Sequence, residues 1–149
     1  IGDGRHQLSH ERFLQALADV FWKDACDTRM FGITHKKGAC QIHIADKVIS
    51  SPKDIKSRFL VGDVVDLVGA GDSFRAGFVS YAAKNRDSFT RGSFDFDKAI
   101  QMGNLFAGLY IKSPLNDRYR YLTSYEKMSG LIDKQVSFTN FDDLTASLK

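Results

Sequence analysis

The chain has 149 residues, 43% hydrophobic and 26% charged, the make-up of an ordinary folded domain rather than a disordered or fibrous chain. A formal net charge of +3 is too small by itself to argue for nucleic acid. No run of 18 apolar residues and no signal-peptide pattern is present, so membrane insertion and secretion lack support; Cys26 and Cys40, without metal-like spacing, read as free thiols of a reducing, cytoplasmic compartment.

His6 to Phe21 predicts a helix, with Ser9 as its cap and an apolar stripe of Phe13, Leu14, Leu17, Val20 and Phe21. His6 and His10 are four apart, but no third ligand follows at helical spacing, so two exposed histidines are the simpler reading. Arg29 to Thr34 predicts a strand and Lys36-Lys37-Gly38 a turn. Ala39 to Ile44 then alternates, Ile42 and Ile44 apart from Gln41 and His43. Asp46-Lys47 turns into Val48-Ile49, which suits antiparallel strands at a sheet edge, and Ser51 to Asp54 reads as a loop.

Val61 to Asp66, with Val64, Val65, Leu67 and Val68 β-prone, leads into Gly69-Ala70-Gly71-Asp72. Residues this small let a ligand approach the backbone. A helix follows from about Ser73 to Lys84, on the stripe Phe74, Phe78, Tyr81 and Ala82, widened by Val79 and Ala83. A glycine-rich bend opening a helix offers free N–H groups and the positive dipole end to an anion. Two readings follow. The bend holds a phosphate beside a working carboxylate, or it is a plain turn with Asp72 as N-cap. It is not a Walker A loop, because the Gly-Lys-Ser/Thr ending is missing.

Asn85 to Ser93 reads as a polar loop, and Asp95 as the cap of a helix from Phe96 to about Lys112. Its buried stripe is Ala99, Gly103, Phe106, Ala107 and Tyr110, and Gly103, Ala107 and Gly108 allow close packing. Arg118-Tyr119-Arg120-Tyr121 interleaves base and aromatic, a pattern that stacks on single strands. Short and isolated, it reads more simply as a loop with snorkelling side chains. Ser124 to Asp133 suits a short helix and Val136 to Phe138 a last strand, while Leu144 to Lys149 is expected to fray.

The stretch Asp66 to Gly77 resembles the second signature of the PfkB (ribokinase-like) carbohydrate kinases, Asp-Thr-x-Gly-Ala-Gly-Asp-x-Phe followed by a small residue and Gly. Asp66, Gly69, Ala70, Gly71, Asp72, Phe74, Ala76 and Gly77 all match it. Phe31 to Ala39 is similar to the strand and turn before that signature, and Ala99 to Gly108 to the helix after it, so the resemblance runs from Met30 to Pro114. It implies an α/β fold, the carboxy-terminal portion of a ribokinase-like three-layer α/β/α sandwich. It implies transfer of the ATP γ-phosphate to a sugar or nucleoside hydroxyl, with Mg²⁺, and with K⁺ as a further candidate. Asp72 takes the part of catalytic base and Gly69, Ala70 and Gly71 that of the anion hole. Thr34, His35, Gly38 and Asn104 fall beside the nucleotide, and Asp66 at a monovalent-cation site.

The chain departs from the pattern in three places. Leu67-Val68 stands where the family has a Thr, Ile33-Thr34-His35 where it has Thr-x-Gly, and Leu115-Asn116 where it has Gly-Ala. These departures motivate a rival reading, a kinase-like nucleotide-binding or scaffold module without catalysis. The Gly-Gly signature and the Asn-x-x-Glu motif of the family's amino-terminal half are not found, and the chain opens on Ile1. Residues 1–149 are therefore expected to be one partial domain of a longer kinase, inactive alone, whose parent pairs as a homodimer and binds neither nucleic acid nor membrane.

Overall fold

A computed structural model describes residues 9–21, 28–45 and 48–149. Contacts divide the chain into two compact units, Ile1–Lys56 and Ser57–Lys149. His6 and Cys26 lie outside the described residues.

The first unit is a helix on an antiparallel sheet. Helix α1, His10–Phe21, is capped by Ser9, whose hydroxyl accepts the Arg12 N–H at 3.3 Å. Its buried line is Leu14 and Ala18, while Phe13, Val20 and Phe21 of the expected stripe are exposed. The strands are β1 Met30–His35, β2 Gly38–Ala45, β3 Val48–Ile49 and β4 Lys53–Lys56. All pair with β2, and all are antiparallel. The expected loop at Ser51 to Asp54 is thus partly a strand, because the free edge of β2 takes up Lys53 to Lys56. Flanked by β1 and β4, β2 is buried from Gly38 to Ile42 and again at Ile44, with His43 half-buried, so the expected alternation is overridden at Gln41. Leu14, Ala18, Cys40 and Ile42 form the core, with Phe31, Ile33 and Ile49 against them. Burial raises the Cys40 thiol above its ordinary pKa, with Asp54 and Glu11 adding to the effect, so it packs rather than reacts.

The second unit is helical. Helix α2 runs Ala70–Lys84, α3 Arg86–Thr90, α4 Phe96–Tyr110, α5 Tyr125–Asp133 and α6 Phe141–Ala146. The polar loop expected at Asn85 to Ser93 therefore contains one short helix. Three of these helices have side-chain caps. Asp95, Ser124 and Asn140 accept the N–H of Lys98, Lys127 and Asp143. Asp95→Ala is expected to cost about 0.5–2 kcal/mol, read as a lower urea midpoint with an unchanged m-value.

Helices α2 and α4 pack backbone to backbone at two glycines. A Cβ on Gly77 would meet the Met102 carbonyl oxygen at 2.6 Å, and one on Gly103 would meet the Phe74 ring at 2.8 Å. The buried line of α2 is accordingly Ser73, Gly77 and Tyr81, with Phe74 and Phe78 partly buried and Val79 and Ala83 exposed. Around the crossing, Phe59, Met102, Leu105, Leu109, Met128 and Leu131 form the core.

The carboxy-terminal end differs from expectation. Val136 to Phe138 is not a strand, since the described part of this unit has no sheet to receive one; Phe138 instead sets its ring 6.3 Å from that of Phe59. Leu144 and Leu148 are buried in the core, so the tail is tied down rather than frayed. Both units together are mixed α/β in content. Neither unit by itself is a three-layer sandwich.

Candidate functional site

The lead-in to the bend is held from behind. Val65 and Asp66 both donate their N–H groups to the Ile111 carbonyl, at 2.8 and 3.2 Å. Buried Lys112 donates to the carbonyls of Gly62 and Asp63, at 2.6 and 3.3 Å, and its burial lowers its pKa. The β-prone Val61 to Asp66 thus finds the end of α4 as its partner, not a neighbouring strand, and remains irregular.

The bend itself is built on Gly69. Its φ of 86° lies in the left-handed region, where a side chain is strained, and a Cβ there would meet the Tyr110 hydroxyl at 2.7 Å. Gly69 is the N-cap of α2 and no side chain caps the helix. The helix starts at Ala70, three residues earlier than expected, so Asp72 is not a cap but sits within the first turn. The Ala70 N–H is engaged by the Leu67 carbonyl at 3.1 Å. The outward N–H groups of the first turn are then those of Gly71 and Asp72, with the helix dipole behind them. A Cβ on Gly71 would touch nothing within 4 Å, so a ligand has open access to that backbone.

Asp72 is exposed, its side chain 83% accessible. Arg75, one turn on and 79% accessible, donates to its carboxylate at 3.0 Å. An ion pair this exposed is worth at most about 1 kcal/mol and yields to salt or to a competing ligand, so the carboxylate remains open to a hydroxyl. Asp66, half-buried, stands at the other end of the bend. Its Oδ1 accepts the Val68 N–H at 3.1 Å and its Oδ2 the Arg118 guanidinium.

These contacts hold the Asp66 pKa below its ordinary value, the Val68 N–H first and Arg118 after it. The folded pKa is below the unfolded one, so the stabilisation is present above about pH 4, the unfolded range. It is lost as pH falls through the folded value. The gap in melting temperature between the wild type and Asp66→Asn is therefore expected to be wide at neutral pH and to close on acidification. A gap that widens in acid would contradict this.

Asn104 is buried in α4 and donates to the Gln101 side chain at 3.3 Å. It lies one residue from Gly103, the contact point with α2. Thr34, His35 and Gly38 lie in the first unit. Thr34 is exposed on β1. His35 takes the Lys37 N–H on Nδ1 at 3.2 Å, which leaves the proton on Nε2 to donate to Asp54 at 2.7 Å. His10 stacks on the same ring at 4.6 Å. Gly38 is required by the sheet, since a Cβ there would lie 2.1 Å from the Ile55 carbonyl oxygen. The structure thus groups Asp66, Gly69, Ala70, Gly71 and Asp72 at one bend and gives His35 and Gly38 partners within their own sheet.

Sequence reasoning missed Tyr110 and Arg118 as neighbours of the bend. Arg118 was legible only as part of a basic-aromatic patch. In the fold that patch divides: Arg118 lies over the Tyr110 ring at 5.1 Å and Tyr121 packs on Phe141 at 5.0 Å, while Tyr119, its ring 5.7 Å from that of Tyr110, and Arg120 stay exposed.

With this geometry in hand, residues 55–116 match the family model of the pfkB family carbohydrate kinases. The matched segment contains Asp66, the bend, Asp72 and Asn104. Thr34, His35 and Gly38 precede it. Comparisons with curated proteins and with solved structures give no match. Among the described residues, no helix is long and apolar enough to cross a membrane.

Proposed function

We propose that this chain carries the phosphoryl-transfer segment of an ATP-dependent carbohydrate kinase, acting on a hydroxyl of a sugar or nucleoside. The observation that carries the reading is the placement of an exposed Asp72 in the uncapped first turn of α2, within the pfkB-matched segment. In this reading the ribokinase-like sandwich is the fold of the whole protein.

The chemistry follows from the parts. ATP, when bound, supplies the phosphoryl group and its leaving group. Phosphoryl transfer asks a protein mainly for positioning and charge stabilisation. The N–H groups of Gly71 and Asp72 hold oxyanions at the helix start, and Gly69 shapes the backbone that presents them. The Asp72 carboxylate accepts the proton of the attacking hydroxyl. Mg²⁺ is proposed to arrive on the nucleotide phosphates, the way this ion ordinarily enters kinase sites. Asn104 is proposed beside the nucleotide, and a cytoplasmic site of action is proposed with it.

The test is ADP release by the protein that carries this chain, with ATP, Mg²⁺ and a panel of sugars and nucleosides. Release that depends on one class of hydroxyl acceptor is expected. Tight ATP binding without acceptor-dependent release would overturn the kinase reading in favour of a non-catalytic module.

A further inference from the structure

The resemblance places a monovalent cation at Asp66, and the residues present do not fit one. Both oxygens of the Asp66 carboxylate are engaged, Oδ1 by the Val68 N–H and Oδ2 by the guanidinium of Arg118. An alkali ion exchanges its hydration shell for oxygen ligands; while Arg118 holds Oδ2 none is left on Asp66, and Leu67 and Val68 beside it bring no side-chain oxygen instead. The positive charge that answers Asp66 is already covalently part of the chain.

We infer that Arg118 is the resident cation of this bend, taking the place of a bound alkali ion. Its side chain is only 13% exposed, and its Nη1 is buried without a hydrogen-bond partner. Taking a guanidinium out of water is costly unless it is paired. Here the pairing is with Asp66 on one side and the Tyr110 ring on the other. The Tyr110 hydroxyl in turn lies 2.7 Å from where a Cβ of Gly69 would stand. Asp66, Arg118, Tyr110 and Gly69 therefore form one contiguous chain of contacts that ends on the N-cap of α2. Arg118 is a positioning residue: it fixes the lead-in and the bend and reaches the Gly71 and Asp72 N–H groups only through them. This rests on the reading of the bend as an anion site, not on turnover.

The experiment is thermal unfolding of the full chain in KCl and in choline chloride at equal ionic strength. The wild type is expected to melt at the same temperature in both. Arg118→Met, which keeps the bulk over Tyr110, is expected to melt lower in choline chloride and to recover part of the loss in KCl. Arg118→Lys, which keeps a charge, is expected to ignore the choice of salt. A K⁺-specific rise in the wild type would overturn the inference, even if Arg118→Met fails to fold. So would an Arg118→Met variant that folds and is indifferent to K⁺, since Arg118 would then be an ordinary ion pair. No readout uses substrate, so failure here is distinct from failure of the kinase reading.

Discussion

Asp72→Asn is expected to lower turnover by about 10²–10⁴-fold, the usual contribution of a positioned base, while leaving the fold and ATP binding in place. The substitution is nearly isosteric and keeps the first turn of α2, because the cap is Gly69 and not Asp72. What it removes is a basic oxygen. It also breaks the ion pair with Arg75, which joins two exposed side chains and contributes at most about 1 kcal/mol. The expected signature is a fall in kcat with little change in KM for ATP, since the N–H groups that hold phosphate belong to the backbone. It is measured by ADP release in the protein that carries this chain. Near-normal turnover with a matched circular dichroism spectrum would remove Asp72 from the role of base.

Gly77→Val is expected to be the most damaging single change to the second unit. The added Cβ would stand 2.6 Å from the Met102 carbonyl oxygen and 2.8 Å from the Phe106 ring. The ring can turn, but the carbonyl belongs to the hydrogen-bonded backbone of α4. Helices α2 and α4 must separate, and Phe74 then loses its seat against Gly103. Overpacking costs about 1–3 kcal/mol and more where backbone must move; the top of that range is expected here. At about 4–8 °C per kcal/mol for a unit of this size, the melting temperature falls by more than about 10 °C. Val79→Ala on the same helix is the control, because Val79 is exposed and the change is expected within about 0.5 kcal/mol. A Gly77→Val variant as stable as the control would mean that the crossing is not as close as described. The damage reaches function as well, since α2 carries the bend and α4 carries Asn104.

The helices and caps were legible wherever the signal is local. Ser9 and Asp95 act as read, because a cap needs only its own next three residues. The hairpin of β1 and β2 was legible from Lys36-Lys37-Gly38 for the same reason. Strands away from a turn were not. Val61 to Asp66 has strand composition and no ladder, while Lys53 to Lys56 has loop composition and pairs with β2. A strand depends on which edge is free to receive it, and that is decided elsewhere in the chain. Burial on α1 was misjudged similarly: Ala18 is buried and Phe13 is not, since the sheet chooses the face.

The sequence by itself determined the bend. Gly69 is demanded by a left-handed backbone, and Asp72 follows at a distance set by helix geometry. The match of residues 55–116 to the pfkB family model includes the same local string. Only the tertiary structure decided what surrounds that bend. Arg118 lies 52 residues from Asp66, and no local pattern links them. Their meeting depends on α4 turning the chain back so that Ile111 and Lys112 pin the lead-in and Tyr110 fills the space beneath Gly69. A turn's conformation is written in its own few residues, but the charge that balances a carboxylate is chosen by packing.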